Sequence, residues 1–322
     1  MKQFRVYITE PIPMHEKMVK LLRNSSVEVE VSKVFYESVP EDKLLEFDGV
    51  IVADSKIPTK PTKKTESLKI IQKFGVGVDN IPVELCKSRG IYVCNIPGIN
   101  SLDVAEFTLA AILSILHRIR ERDRMARNAK WSDGPKVLSE RLTGKVVGII
   151  GFGRIGRQVA MLLKPFKVKI AVYDPYISDE IVKEAGVERV GELDQLLKVS
   201  DVVTLHIPLT GETRHMIGWR ELNIMKRNAI LVNTSRGAVI DEEALRKAVK
   251  SGRLRSAHID VWSLEPVPKN HPMLNVRKVQ LSLHQASWSI NFFTEAAEFC
   301  VENILKAFRG VKPLNVVWEP TQ

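Results

Sequence analysis

Cysteine is scarce: Cys86, Cys94 and Cys300 are the only three in 322 residues. They are odd in number, widely spaced and free of any C-x-x-C or histidine-paired pattern. This argues against a disulfide framework and for a reducing, cytoplasmic setting. The seven histidines show no zinc spacing, so no metal site is expected. Long apolar runs are missing too. No stretch approaches the ~20 apolar residues of a membrane span. The opening residues MKQFRVYITE lack the apolar core and cleavage site of a secretion signal. Lys and Arg outnumber Asp and Glu by 48 to 38, a net charge of +10. Yet no zinc-finger, RNA-recognition or basic-zipper signature accompanies that charge. The cluster Arg118–Arg127 alternates with Glu121 and Asp123, as solvated helix faces do, and Lys60, Lys63 and Lys64 read as solvated surface. Neither nucleic acid nor membrane is an expected partner; the positive potential suits an anionic substrate and cofactor.

What is present is α/β alternation, at a length that fits about two ordinary domains. Its organising stretch is Lys145 to Asp174. Val146 to Ile150 is a short apolar run, β-branched except for one glycine, and reads as a strand buried on both faces. Gly151, Gly153 and Gly156 follow as G-x-G-x-x-G, and helical spacing then runs until Pro165. Gly151 suits a tight turn, Gly153 a close approach of backbone to pyrophosphate, and Gly156 a close packing of helix on strand. The amides and dipole of the helix start favour an anion. A second β-rich run, Val168 to Tyr173, ends on Asp174. A carboxylate there can accept both ribose hydroxyls of an adenosine and repels a 2′-phosphate, which favours NAD over NADP.

Residues 1–99 alternate strand and helix without a phosphate fingerprint and read as the first part of a substrate-binding domain. Residues 100–287 read as the nucleotide-binding domain, and 288–322 as a final helix whose last residues, Val316 to Trp318, return to the first domain. Asn100 is the expected N-cap of a long helix that starts apolar and turns basic, with Asp103 at N3. The polar stretch Asn128 to Leu142 reads as an arm. After Asp174, Asp201–Leu205, Ala229–Asn233, Ser256–Asp260 and Lys278–Leu283 extend a doubly wound sheet to six or seven strands. Ligands of such sheets lie at the carboxyl ends of the strands.

Three polar residues follow predicted strand ends: Arg236 in Asn-Thr-Ser-Arg-Gly, Glu265 in Asp-Val-Trp-Ser-Leu-Glu-Pro, and His284 in Leu-Ser-Leu-His. Singly they are a surface arginine, a loop glutamate and a capping histidine. Together they suit reduction of a 2-oxo acid, which needs a proton donor for the developing alkoxide and a cation for the carboxylate. The guanidinium of Arg236 offers a planar fork. Histidine has an ordinary pKa near working pH, and a hydrogen bond from the His284 ring to Glu265 would orient the ring and favour its charged form. Gly75 and Gly77, after another predicted strand, would expose amides suited to a carboxylate.

These pieces, in order, resemble the D-isomer-specific 2-hydroxyacid dehydrogenases. The matching segments are Gly75-Val-Gly-Val-Asp-Asn80, Asn100 through Glu106, Gly151–Gly156, His206-Ile-Pro-Leu-Thr210, Asn233-Thr-Ser-Arg-Gly237, Asp260 with Glu265-Pro266, and His284. The resemblance implies a Rossmann NAD-binding domain inserted into a smaller flavodoxin-like α/β domain, and a homodimer paired through the NAD-binding domains. It implies that Arg236 grips substrate while Glu265 and His284 form the acid–base pair. The amides of Val76 and Gly77 would hold the substrate carboxylate, near Lys73 and Asn100. Asp260 would bind the nicotinamide carboxamide. Arg154, Ile155, Asp174, Ile207 and Thr234 would line the cofactor, alongside His206, Pro208, Thr213, Ser235 and Ala286.

The implied substrates are 3-phosphoglycerate or the glyoxylate/hydroxypyruvate pair. Phosphite or formate is an alternative within the family, although formate-using relatives carry glutamine where Glu265 stands. An NAD-sensing scaffold like the corepressors of this fold is a further alternative. Two positions depart from the pattern. Asp103 stands where many relatives carry serine. Ala53 stands where phosphoglycerate-using relatives tend to carry arginine, although Lys56 and Lys73 could still meet a phosphate.

Overall fold

The computed structural model describes residues 3–59 and 67–318, so Lys60, Lys63 and Lys64 lie outside the described residues. The chain divides into two compact units, 1–100 with 288–322, and 101–287. In the first unit, β1 (Arg5–Ile8), β2 (Glu28–Val31), β3 (Gly49–Val52), β4 (Ile70–Lys73) and β5 (Tyr92–Cys94) form a parallel sheet in the order 2-1-3-4-5. That is the flavodoxin-like order. Strand Val316–Trp318 adds antiparallel to β5 as a sixth member. Buried Asn303 secures this return, its Oδ1 accepting from the Leu314 amide at 2.7 Å and its Nδ2 donating to Gln72 Oε1 at 2.8 Å.

Apolar residues on both sides of this sheet explain its stability. Val6, Ile8, Ile51 and Ile70 pack on one face with helix Ile290–Phe308, which buries Phe292, Ala296, Cys300, Ile304 and Phe308. Tyr7, Val50, Val52, Ile71 and Val93 pack on the other. Alternate residues of each strand thus face opposite cores. Ser289 caps the long helix, its hydroxyl accepting from the Phe292 amide at 2.8 Å.

In the second unit, the strands are β6 (Val146–Ile150), β7 (Lys169–Tyr173), β8 (Glu188–Arg189), β9 (Val202–Leu205), β10 (Ile230–Asn233), β11 (Ser256–Ile259) and β12 (Val279–Leu281). They are all parallel, in the order β12-β11-β10-β9-β6-β7-β8. The order reverses between β6 and β9, which is the Rossmann switch point. The seventh strand, β8, is only two residues long and exposed, and so leaves no hydrophobic pattern to read.

Two local expectations fail. The long helix is in fact two, Ser101–Leu116 and Ile119–Arg127, broken where Arg118 adopts φ 53°. The second is buried nowhere, which follows from its run of charged residues. Asn100 does not cap the first: its Oδ1 is buried and makes no hydrogen bond among the described residues. In the stretch read as an arm, a short 3-10 turn spans Trp131–Lys136. No helix among the described residues is long and apolar enough to cross a membrane.

Candidate active site

Backbone geometry builds the nucleotide cradle at the end of β6. Gly151 sits at φ 89°, and a Cβ on it would lie 2.5 Å from the His206 carbonyl oxygen. A Cβ on Gly156 would lie 2.2 Å from the Gly151 carbonyl oxygen, so the helix Arg154–Leu163 reaches its turn only with glycine there. At Gly153, by contrast, a Cβ would meet nothing within 4 Å. The space in front of that helix start is open, as the approach of a pyrophosphate to backbone requires.

Asp174 ends β7 beside this turn. Its Oδ2 accepts from the Phe152 amide at 2.8 Å and its Oδ1 from the Tyr176 amide at 2.9 Å. Each oxygen keeps a lone pair, which fits a ribose diol. His206, at the end of β9, bonds Thr204 Oγ1 through Nε2 at 3.0 Å, while its Nδ1 is shut off from solvent without a partner among the described residues. Burial pushes this imidazole down to about 3, so the ring is neutral. Beyond it Thr213 folds the loop back, donating to the Pro208 carbonyl at 2.7 Å and accepting from the Thr210 amide at 2.7 Å.

The turn after β10 carries Thr234, Ser235 and Arg236. Thr108 Oγ1 donates to the Val104 carbonyl, so the 3.0 Å contact with Thr234 has Thr234 as donor. Ser235 donates through both its amide and its hydroxyl to Asn233 Oδ1, and Asn233 Nδ2 donates to the Arg236 carbonyl at 2.9 Å. The Arg236 guanidinium is tethered by Nη1 to the Ser235 carbonyl at 2.7 Å. Gly237 then abuts the next loop, where a Cβ would lie 1.9 Å from the Trp262 carbonyl carbon. The two loops that carry Arg236 and Glu265 are therefore in backbone contact.

Glu265 and His284 meet in the same unit. His284 Nδ1 lies 2.7 Å from Glu265 Oε2, and Glu265 Oε1 accepts from the Trp262 amide at 2.9 Å. Burial opposes ionisation of Glu265. The His284 hydrogen bond and charge, the Trp262 amide and the charge of Arg236 outweigh it and hold the carboxyl below the usual range. A carboxylate partner makes His284 Nδ1 the protonated nitrogen. His284 itself adopts φ 54°.

Asp260 is fully buried, and its oxygens are largely engaged by the protein. Oδ1 accepts from Ser282 Oγ at 2.5 Å and from the Gln285 amide at 2.8 Å, and Oδ2 from the Ala286 amide at 3.0 Å. At most one lone pair, on Oδ2, is left for a carboxamide. In the first unit, the loop after β4 carries Val76 and Gly77, and Asn95 Nδ2 donates to the Val76 carbonyl at 2.7 Å. Lys73 is buried and donates to Asn80 Oδ1 at 3.1 Å and to the Ala53 carbonyl. Sequence reasoning missed Ser282, Thr108 and the packing of Gly237; no residue type or spacing marks the first two. No cluster of three or more metal-ligating side chains occurs among the described residues.

Residues 109–286 match the family model described as D-isomer specific 2-hydroxyacid dehydrogenase, NAD binding domain. The chain belongs to that family. It is 38% identical to the D-3-phosphoglycerate dehydrogenase of Methanocaldococcus jannaschii over 98% of this chain and 60% of that protein. It is also 38% identical to the glyoxylate reductase of Korarchaeum cryptofilum over 97% of this chain and 95% of that one. The chain thus spans about three fifths of the first relative and nearly all of the second. Among solved structures, D-lactate dehydrogenase from Aquifex aeolicus, complexed with NAD and lactic acid, superposes with a TM-score of 0.86. That match has 28% identity and covers 98% of this chain and all of that one. The family resemblance, the α/β fold with a Rossmann domain, the oxidoreductase class and NAD as cofactor all agree with these matches.

Proposed function

We propose that this 2-hydroxyacid dehydrogenase transfers hydride between NAD and a small anionic D-2-hydroxy or 2-oxo acid, with glyoxylate or hydroxypyruvate as the substrate. The observation that carries the reading is the 2.7 Å pair of His284 and Glu265, beside Arg236, on a unit with an open glycine cradle. Gly151–Gly156, Asp174 and the loops after β9 and β10 would hold NAD, which would supply or accept the hydride. Arg236 holds the substrate carboxylate in its fork. In reduction, His284 passes its Nε2 proton to the developing alkoxide while Nδ1 stays bonded to Glu265. In oxidation, neutral His284 takes the hydroxyl proton on Nε2.

One observation favours glyoxylate or hydroxypyruvate over 3-phosphoglycerate: Lys73 donates to the Ala53 carbonyl and to Asn80 Oδ1, and Ala53 stands where phosphoglycerate-using relatives tend to carry arginine. Glu265, rather than glutamine, speaks against formate; phosphite is separated only by assay. We further propose a cytoplasmic homodimer paired through the second unit, supported by Trp131, 95% exposed, and Leu138, 75% exposed, in the stretch 128–142.

The test is spectrophotometric: NADH oxidation with glyoxylate, hydroxypyruvate, 3-phosphohydroxypyruvate and pyruvate. Turnover of the first two is expected. Failure with every 2-oxo acid would favour the NAD-sensing scaffold. His284→Ala should lower kcat by about 10²–10⁴-fold with NADH binding retained, and near-normal rates in that variant would remove His284 from the chemistry.

A further inference from the structure

Three consecutive amides beyond β12 converge on Asp260. The His284 amide donates to its carbonyl at 2.6 Å, the Gln285 amide to Oδ1 and the Ala286 amide to Oδ2. The last two form an anion nest filled by the protein's own carboxylate, and the left-handed φ of His284 just before them turns these amides to one side. For a non-glycine residue that conformation is unfavourable and persists only where its surroundings over-determine it. Here they do. The Cα–Cβ direction of His284, and hence the position of its ring on Glu265, follows from the seating of the Asp260 carboxylate.

Ser282 controls that seating. Its hydroxyl proton goes to Asp260 Oδ1, so its oxygen accepts from His258 Nε2, 3.1 Å away. His258 is buried, and desolvation outweighs the pull of Asp260 and Gln280 to favour its neutral form. The serine is thus held as a one-way donor to a fully buried charge, the kind of hydrogen bond whose loss is felt.

We propose that Ser282 is a positioning residue for the acid–base pair: by fixing the Asp260 carboxylate it holds the His284–Ala286 turn in its left-handed form and keeps the imidazole on Glu265. This rests on the reading of His284 as the acid–base group. Ser282 touches no reacting atom, so its removal should act through Glu265.

In the full-length protein, Ser282→Ala should lower kcat about tenfold, with the Kd of NADH unchanged, and Ser282→Thr should restore most of the rate. In a Glu265→Ala background the same alanine should cost no more than about twofold, because the contact it protects is already gone. A kcat within twofold of wild type would overturn the proposal. So would an equal loss in both backgrounds, or a loss confined to the KM for NADH.

If wild type turned over no 2-oxo acid, the dehydrogenase reading would fail by itself, and proton NMR would still decide the positioning. The downfield Nδ1–H signal, assigned by its absence in His284→Asn, should persist in Ser282→Thr and broaden or move upfield in Ser282→Ala. An unchanged signal in Ser282→Ala would refute it.

Discussion

Adding one methyl group at position 237 should disable the site without touching any group that does chemistry. A Cβ on Gly237 would lie 1.9 Å from the Trp262 carbonyl carbon, 2.2 Å from its oxygen and 2.3 Å from the Ser263 nitrogen. Ordinary contact begins near 3.4 Å, so the two backbones must part by about 1.5 Å, and neither has a flexible side chain to yield instead. The Trp262 amide holds Glu265 Oε1, and the Ser263 amide is held by Glu242 Oε1 at 2.8 Å. Displacing this segment displaces Glu265 from His284, or Arg236 from both. A misplacement of about 1 Å can cost on the order of 10²-fold in rate. Gly237→Ala should therefore lose roughly that much in kcat, with about 1–3 kcal/mol of stability from overpacking. Gly191→Ala, with nothing within 4 Å of its Cβ position, is the matched control. Steady-state kinetics and urea unfolding of both variants decide the matter. A Gly237→Ala enzyme within threefold of wild-type kcat would mean that the contact between the two loops does not set the catalytic geometry.

Asp174→Ala should relax discrimination against NADP and also raise the KM for NAD, because the same carboxylate holds the Phe152 amide of the glycine turn; an unchanged NAD/NADP ratio would place the ribose elsewhere. His206 gives a pH prediction whose sign follows from its depressed value. Folded at about 3 against 6.5 unfolded, it contributes stability that is complete above 6.5 and declines as pH falls toward 3. The loss is about 1.4 kcal/mol per pH unit, or about 2 kcal/mol near pH 5. His206→Gln should flatten that part of the urea-midpoint profile, and a profile of unchanged slope would contradict the assignment.

The nucleotide cradle was legible because its physics is local. A strand, three glycines and a helix start are neighbours in the chain; Gly156 answers to the Gly151 carbonyl and Gly151 to the end of the adjacent strand, while Gly153 leaves open space. Arg236, Glu265 and His284 were legible only as residues just past strand ends, a rule that ranks positions without showing which side chains meet. Their meeting depends on β10, β11 and β12 lying side by side, and on Gly237 admitting the neighbouring loop. Asn100 failed as a cap because a favourable residue type does not fix where its side chain goes. Its Oδ1 is buried without a hydrogen bond among the described residues, so the local competition that favours asparagine at helix starts does not describe this position. The break at Arg118 was illegible for the opposite reason: its residue type gives no sign of a left-handed backbone.

Asp260 carries a structural task that a reading by residue role leaves out. An acid at the end of a Rossmann strand suggests contact with a ligand, and this one also grips the amides of the adjacent strand end. The first unit repeats the device. Buried Glu10, just past β1, accepts through Oε1 from the amides of Ala53, Asp54 and Ser55, just past β3, and β1 and β3 are neighbours. Asp174 does the same across β7 and β6 at Phe152. Parallel strands leave their last amides without ladder partners at the carboxyl edge, the edge where ligands bind. A carboxylate supplied by the adjacent strand satisfies those donors and fixes the loop before any ligand arrives. The shape of each loop then depends on a buried anion as much as on the residues that face substrate. Substitutions at Glu10 or Asp260 act first on loop geometry, and through it on whatever the loop holds.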